Sequence, residues 1–168
     1  TYAQGRETIQ NHIAKYFKHF QANIALDNLR SIQVFMVGEV VDLLGVRNGG
    51  SYIDGTVGGG GHAEAIMRRA GLTGRLLGID RDEDAIARAG ERLDAWRSAV
   101  ELVHGNFRDM GEIACRHGMG NVDGVVLDVG VSTEQLDTPE RGMSFGQDGP
   151  LDMRMDRSGG RTAADLVN

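Results

Sequence analysis

The chain has 168 residues, enough for one domain with a core of its own, and its 40% hydrophobic content is ordinary for a globular protein. No apolar run approaches the roughly 18 residues of a membrane helix, no secretory signal is visible, and the single cysteine, Cys115, excludes an internal disulfide and fits a reducing compartment. The net charge is −6 and uneven: residues 1–35 hold four Lys/Arg against two Asp/Glu, the remainder 14 against 22, so charge alone does not point to a nucleic-acid binder.

In residues 1–35, Ile9, Ile13, Phe17, Phe20 and Ile24 recur at three- and four-residue steps, with Tyr16 beside them and His12, Lys15, Lys18 and His19 interspersed. That is the pattern of an amphipathic helix. A packing or surface helix is the plain reading; a basic presequence and an RNA-contacting helix are the alternatives.

From residue 36 the pattern changes to strands alternating with helices. Residues 36–45 are helix-like and stop at Gly45, and Asn48-Gly49-Gly50 is a turn. Ser51-Tyr52-Ile53-Asp54 is a short strand running into Gly55-Thr56-Val57-Gly58-Gly59-Gly60-Gly61-His62, and a helix follows to Gly71. The second strand, Arg75–Asp80, ends in an acid. A helix over 82–98 carries Ala85, Ile86, Ala89, Leu93 and Trp96 on one stripe. The third strand is Val100–Val103, then His104-Gly105-Asn106-Phe107, then a helix over 108–118. Val122, Val125, Val126, Leu127 and Val129 form a nearly continuous apolar run, read as a fourth strand buried on both faces and ending at Asp128. This order predicts a parallel α/β sheet with right-handed crossovers.

After Asp128 come about 28 residues with no helical or alternating period. They carry Leu136, Met143, Phe145, Leu151, Met153 and Met155 at irregular intervals, too apolar for a disordered tract, so a folded loop at the carboxyl end of the sheet is expected. Asp152 and Arg154 are placed to pair and hold it. Thr162 and Asp165 have capping-box spacing, opening a last helix.

Strand, glycine loop and helix, with the acid Asp80 about 20 residues further on, form a nucleotide-type site. Gly58 to Ala63 satisfies G-x-G-x-x-A, which alone fits NAD and S-adenosylmethionine equally. NAD needs a helix N-terminus aimed at a pyrophosphate, whereas S-adenosylmethionine has no phosphate. Acids near the glycine loop, Asp54 before it and Asp128 at the fourth strand, would repel a pyrophosphate and favour a sulfonium and an ammonium. The five histidines have no metal-ligand spacing, so no metal is expected.

The run DVGVSTEQLDTPERGMSFGQDGPLDMRMD, residues 128–156, together with the glycine loop, resembles the bacterial small-subunit ribosomal RNA (cytosine-N4)-methyltransferases and their mitochondrial relatives, over roughly residues 36–168. Relatives have a His-x-Pro motif shortly before the glutamate matched by Glu39; this chain reads Ile32-Gln33-Val34-Phe35 there, and the resemblance begins near Met36. The resemblance implies a Rossmann-like S-adenosylmethionine methyltransferase sheet, of which four strands are only the N-terminal half, so the chain reads as truncated. The segments are then 1–35, unassigned; 36–135, the cofactor half-domain; and 136–168, a substrate-side loop and the start of a helical domain. The cofactor positions it implies are Gly60, Gly61, His62, Asp80, Phe107, Asp128 and Gln135, with Asp80 on the ribose, Phe107 beside adenine and Asp128 also the catalytic candidate at the reacting end. The implied partner is small-subunit ribosomal RNA or the small ribosomal subunit, in the cytoplasm of a bacterium or the mitochondrial matrix of a eukaryote. RNA would be met by parts outside this chain or by a patch of Arg141, Arg154, Arg157 and Arg161. The rival functions are a truncated or diverged non-catalytic relative and an NAD-dependent oxidoreductase. Half a sheet also leaves an open edge at the fourth strand, which invites a homodimer.

Overall fold

The computed structural model describes residues 37–167, so the amphipathic segment expected over 1–35 lies outside the described residues. The elements in order are α1 (Val37–Leu43), β1 (Ser51–Asp54), α2 (Gly61–Ala70), β2 (Arg75–Asp80), α3 (Glu83–Arg92), β3 (Val100–His104), α4 (Met110–Arg116), β4 (Gly124–Val126), α5 (Thr133–Asp137) and α6 (Ala163–Val167). Single 3₁₀ turns lie at Asp94–Trp96, Phe107–Asp109 and Pro139–Arg141.

The four strands form one parallel sheet in the order β3-β2-β1-β4. Alternate side chains on each strand go to opposite faces, and the core divides accordingly. Tyr52 and Leu76 join Ile66, Met67, Ala89 and Leu93 from α2, α3 and the turn after α3. Ile53, Leu77 and Ile79 join Ile113 and Ala114 from α4, with Met119. Leu76, Leu77 and Ile79 are completely buried, each contributing about 2 kcal/mol of apolar burial. The strand runs are apolar on both faces because helices cover both.

The helix expected over 82–98 is shorter. Asp82 caps α3 by accepting the Asp84 N–H at 3.1 Å, and Glu83 and Asp84 in the first turn suit the helix dipole. Regular helix ends at Arg92. Trp96 then bonds back to Leu93 and Ala99 to Trp96, tightening the chain so that it can enter β3 at Val100.

The fourth strand departs most from expectation. It spans three residues, and only Val126 is buried; Val125 is 40% exposed, Leu127 46% and Val129 71%. Among the described residues β4 pairs with β1 alone. Val125 shares a face with its register partner Ile53, but the cluster around α4 stops short of it. An apolar run marks a strand that can be buried on both faces; it does not supply the neighbours that bury it.

The loop after β4 is folded, as expected, but it contains a helix that its aperiodic sequence did not suggest. In α5 the Ser132 hydroxyl accepts the Gln135 N–H, and the Gln135 side chain accepts the Ser132 N–H, a complete capping box. Beyond it the chain doubles back tightly. Gly142 has φ +66, and a β-carbon there would lie 2.0 Å from the Pro150 carbonyl oxygen, so only glycine fits. Asp152 and Arg154 form the expected pair at 2.7 and 2.8 Å, and Arg154 holds the Asp152 carboxyl well below the usual carboxylate range. Thr162 and Asp165 cap α6 reciprocally.

Candidate functional site

The strand order places the site. The connections β1-α2-β2-α3-β3 walk one way across the sheet, and β4 returns to the other side of β1. The direction therefore reverses between β1 and β4. Open α/β sheets bind ligands outside the strand carboxyl ends at such a reversal. Asp54 ends β1, Asp80 ends β2 and Asp128 lies two residues beyond β4.

The glycine loop is tied to its surroundings by backbone. Gly55 N–H donates to Val126 O at 2.9 Å, joining the loop to β4, and Val57 N–H donates to Ile79 O at 3.0 Å, joining it to β2. Gly60 is left-handed, φ +81, and a β-carbon on it would lie 3.3 Å from Ala89 Cα, so the loop also packs against α3. Over Gly55 the space is closed by Leu127 and the stem of Phe107: a β-carbon would meet them at 2.5 and 3.2 Å. Phe107 itself is half-buried.

The acids differ in their surroundings. Asp80 accepts the Gly58 N–H on Oδ2 at 2.8 Å and the Asp82 N–H on Oδ1 at 2.9 Å, so it sets the shape of the glycine loop while each oxygen keeps a lone pair for a ligand. Asp54 is 1% exposed. Its Oδ1 accepts the Thr56 N–H at 3.2 Å, and its buried Oδ2 has no partner. Burial pushes its carboxyl up to about 7; the Thr56 N–H opposes this, and the charges of Asp80 and Asp128 add to it. Asp128 is open, its side chain 72% exposed, with Oδ2 3.9 Å from His62 Nδ1. Its N–H donates to the Thr56 hydroxyl at 2.7 Å.

The structure therefore gathers Gly60, Gly61, His62, Asp80, Phe107 and Asp128 at one end of the sheet. Gln135 stands behind them, 6% exposed. Its amide donates to Asp82 Oδ2 at 2.7 Å and accepts the Ser132 N–H at 3.0 Å, which leaves one N–H and one carbonyl lone pair. Among the described residues no group of three His, Cys, Asp or Glu is arranged to hold a metal ion.

The proposed arginine patch is corrected in part. Arg141 is 3% exposed. Its Nη1 lies 3.0 and 2.9 Å from the two oxygens of Asp82, and its Nη2 donates to the Arg154 and Met155 carbonyls at 3.1 and 2.9 Å. Burial pushes the Asp82 carboxyl up, but Arg141 and Gln135 outweigh it and hold the group below the usual carboxylate range. With Arg154 committed to Asp152, Arg157 and Arg161 are the exposed members of that set. Sequence reading missed Asp82 as a structural centre and missed Thr56 as a tie. The helix-capping pattern Asp82-Glu83-Asp84 and the Ser132-x-x-Gln135 box were the available signals.

The acids bear on which cofactor fits. Burial is the main cause of the rise at Asp54, and the charges of Asp80 and Asp128 add a smaller part, so negative groups do lie beside the glycine loop. A pyrophosphate would add two charges of the same sign, whereas a sulfonium with an ammonium meets charges of the opposite sign. The buried Asp54 Oδ2 has no partner, and a cation beside it would favour its ionised, accepting form. The residues present fit S-adenosylmethionine and do not favour NAD.

Residues 30–168 match the family model described as the MraW methylase family. The chain is 54% identical over 129 residues to the ribosomal RNA small subunit methyltransferase H of Trichlorobacter lovleyi, covering 77% of this chain and 41% of that protein. It is 52% identical over 133 residues to the enzyme of the same name from Symbiobacterium thermophilum, covering 79% and 42%. The chain thus spans about two-fifths of the length of these relatives. A solved structure, Aeropyrum pernix fibrillarin with natively bound S-adenosyl-L-methionine, is similar with a TM-score of 0.47 and 21% identity over 62% of this chain and 44% of that one.

Proposed function

The chain belongs to the MraW methylase family, and from that premise we propose that it forms the cofactor-binding part of an S-adenosylmethionine-dependent methyltransferase acting on N4 of a cytidine in small-subunit ribosomal RNA. The observation that carries the proposal is the acidic set Asp54, Asp80 and Asp128 around a phosphate-unfriendly glycine loop at the β1/β4 reversal. The names of the relatives support the substrate.

When bound, S-adenosylmethionine supplies an activated methyl group and its leaving group in one molecule. The residues of the chain hold and orient the reactants. Gly60 and Gly61 allow close backbone approach and His62 borders the amino-acid portion. Asp80 accepts the ribose hydroxyls on its remaining lone pairs. Phe107 lines the adenine side, and Gln135 offers its free N–H from behind the loop.

The chemical difficulty lies in the acceptor, because a cytosine amine shares its lone pair with the ring. Asp128 is the catalytic candidate. Its exposed carboxylate would accept one N–H of the amine, turn the nitrogen lone pair toward the methyl group, and take the proton that the nitrogen loses as the N–C bond forms and the methyl–sulfur bond breaks. Catalysis of this kind rests on positioning. The target base must leave its stack to reach the strand ends.

Calorimetric titration of the chain with S-adenosylmethionine, with NAD as the control, tests the cofactor. Binding of the first alone is expected; binding of NAD, or of neither by a folded sample, overturns the reading. The substrate is tested by incubating the full-length protein and S-adenosylmethionine with small ribosomal subunits and measuring N4-methylcytidine by mass spectrometry. Methylation at another position or on another RNA refutes it.

A further inference from the structure

The buried pair Asp82–Arg141 lies outside the set of residues assigned to the cofactor or to the methyl acceptor. We infer that Arg141 is a positioning residue that couples cofactor occupancy at Asp80 to the order of residues 133–156; this rests on the reading of the strand ends as an S-adenosylmethionine site.

The bonds form an unbroken series. Gly58 N–H and Asp82 N–H both donate to Asp80. The Asp82 carboxylate accepts from Asp84 N–H, Gln135 and Arg141. Arg141 then grips the far side of the loop twice. Its Nη2 donates to the carbonyls of Arg154 and Met155, and its own carbonyl accepts the Met153 N–H at 3.0 Å. A shift of Asp80 or of its neighbouring backbone is felt at Asp82, and through the rigid guanidinium fork at residues 153–155.

Two further features distinguish this from simple anchoring. The loop buries Met143 but leaves Phe145 93%, Leu151 49% and Met153 52% exposed, so directional polar bonds carry much of what holds it in register. Met153 also has φ +61, a left-handed conformation rare outside glycine. Such a residue persists only where its surroundings over-determine it, and Arg141 holds its N–H on one side and the carbonyls of the next two residues on the other. Lysine in place of Arg141 would keep the charge but lack the fork needed to reach Asp82 and two carbonyls together. Because coupling is reciprocal, a ligand on Asp80 must stabilise the loop as much as the loop stabilises the ligand.

The test is hydrogen–deuterium exchange of the chain with and without saturating S-adenosylmethionine, beside its Kd by calorimetry, for the wild type and Arg141→Lys. In the wild type, ligand should protect residues 58–62 and 136–155 together. In Arg141→Lys the Kd should weaken by about fivefold or more, and saturating ligand should protect residues 58–62 but not 141–155. Should Arg141→Lys fail to fold by circular dichroism, the double variant Asp82→Asn, Arg141→Met keeps a capping side chain and buries no lone charge, and the same loss of loop protection is expected from it. Loop protection and Kd equal to wild type in a folded variant would overturn the inference. So would a wild type whose loop ignores bound ligand, which leaves the cofactor reading standing. A folded wild type that binds no S-adenosylmethionine overturns both.

Discussion

Replacing Asp54 with asparagine should make the protein less sensitive to rising pH. Asp54 carries a carboxyl raised from its ordinary 3.8 to about 7, with burial the largest cause. Between those values the folded protein holds a proton that the unfolded chain has released. The contribution of this group to stability is therefore fullest at low pH and is lost as pH rises through about 4 to 7. The whole shift corresponds to about 4 kcal/mol, of which about 2 kcal/mol falls between pH 5.5 and pH 8. Asparagine has nearly the same shape and no charge to bury, so the variant lacks this loss. The carboxyls held below their usual range, such as Asp82, Asp123 and Asp156, titrate below this window and act equally on both proteins. Urea denaturation at pH 5.5 and pH 8 reads the effect: the gap between variant and wild type should widen in the variant's favour by about 2 kcal/mol, roughly 1 M in urea midpoint. Parallel pH profiles for the two proteins would refute the placement of an uncompensated proton at Asp54. The same residue links to the proposed cofactor. A cation beside it favours its ionised form, so S-adenosylmethionine binding near pH 6 should release protons, visible as a calorimetric enthalpy that depends on the buffer and is flat in the variant.

Asp80→Ala removes the ribose acceptor and also frees Gly58 and Asp82 N–H; S-adenosylmethionine affinity should fall by about 1–3 kcal/mol or more, and an unchanged calorimetric Kd would count against the site. Gly60→Val places a branched side chain at φ +81, 3.3 Å from Ala89 Cα at its first carbon, and should abolish binding while the circular dichroism of the sheet and helices survives. Val125→Lys charges a residue that is 40% exposed on a strand that, among the described residues, pairs with β1 alone. If the isolated chain self-associates through β4, this change should lower its mass in sedimentation velocity; equal sedimentation of an associating wild type and the variant would place the contact elsewhere.

Legibility varied along the chain for physical reasons. β1, β2 and β3 were readable because each is a short apolar run closed by a turn or an acid, and the Ser51–Asp54 and Arg75–Asp80 bounds agree with the structure. The glycine loop was readable because only glycine tolerates the conformation at Gly60 and the approach of α3. Arg141 was misread. An arginine among glycines and acids looks like a solvated cation, and its burial depends on Asp82, 59 residues away. α5 was overlooked because a five-residue helix is too short to show a period, although its capping box was present in the sequence.

By itself, the sequence determined the local units and the chemical character of their ends: strands, helices, the glycine turn and acids where strands stop. These follow from backbone preferences and from side chains close together along the chain. Only the tertiary structure decided the order β3-β2-β1-β4, and with it the reversal that brings Asp54, Asp80 and Asp128 around one loop. It also decided that β4 lies beside β1, that Asp54 loses its water, and that Asp82 takes Arg141 and Gln135 as partners. Pairing, burial and the electrostatics that follow depend on residues distant in sequence, and no local pattern encodes which of them meet.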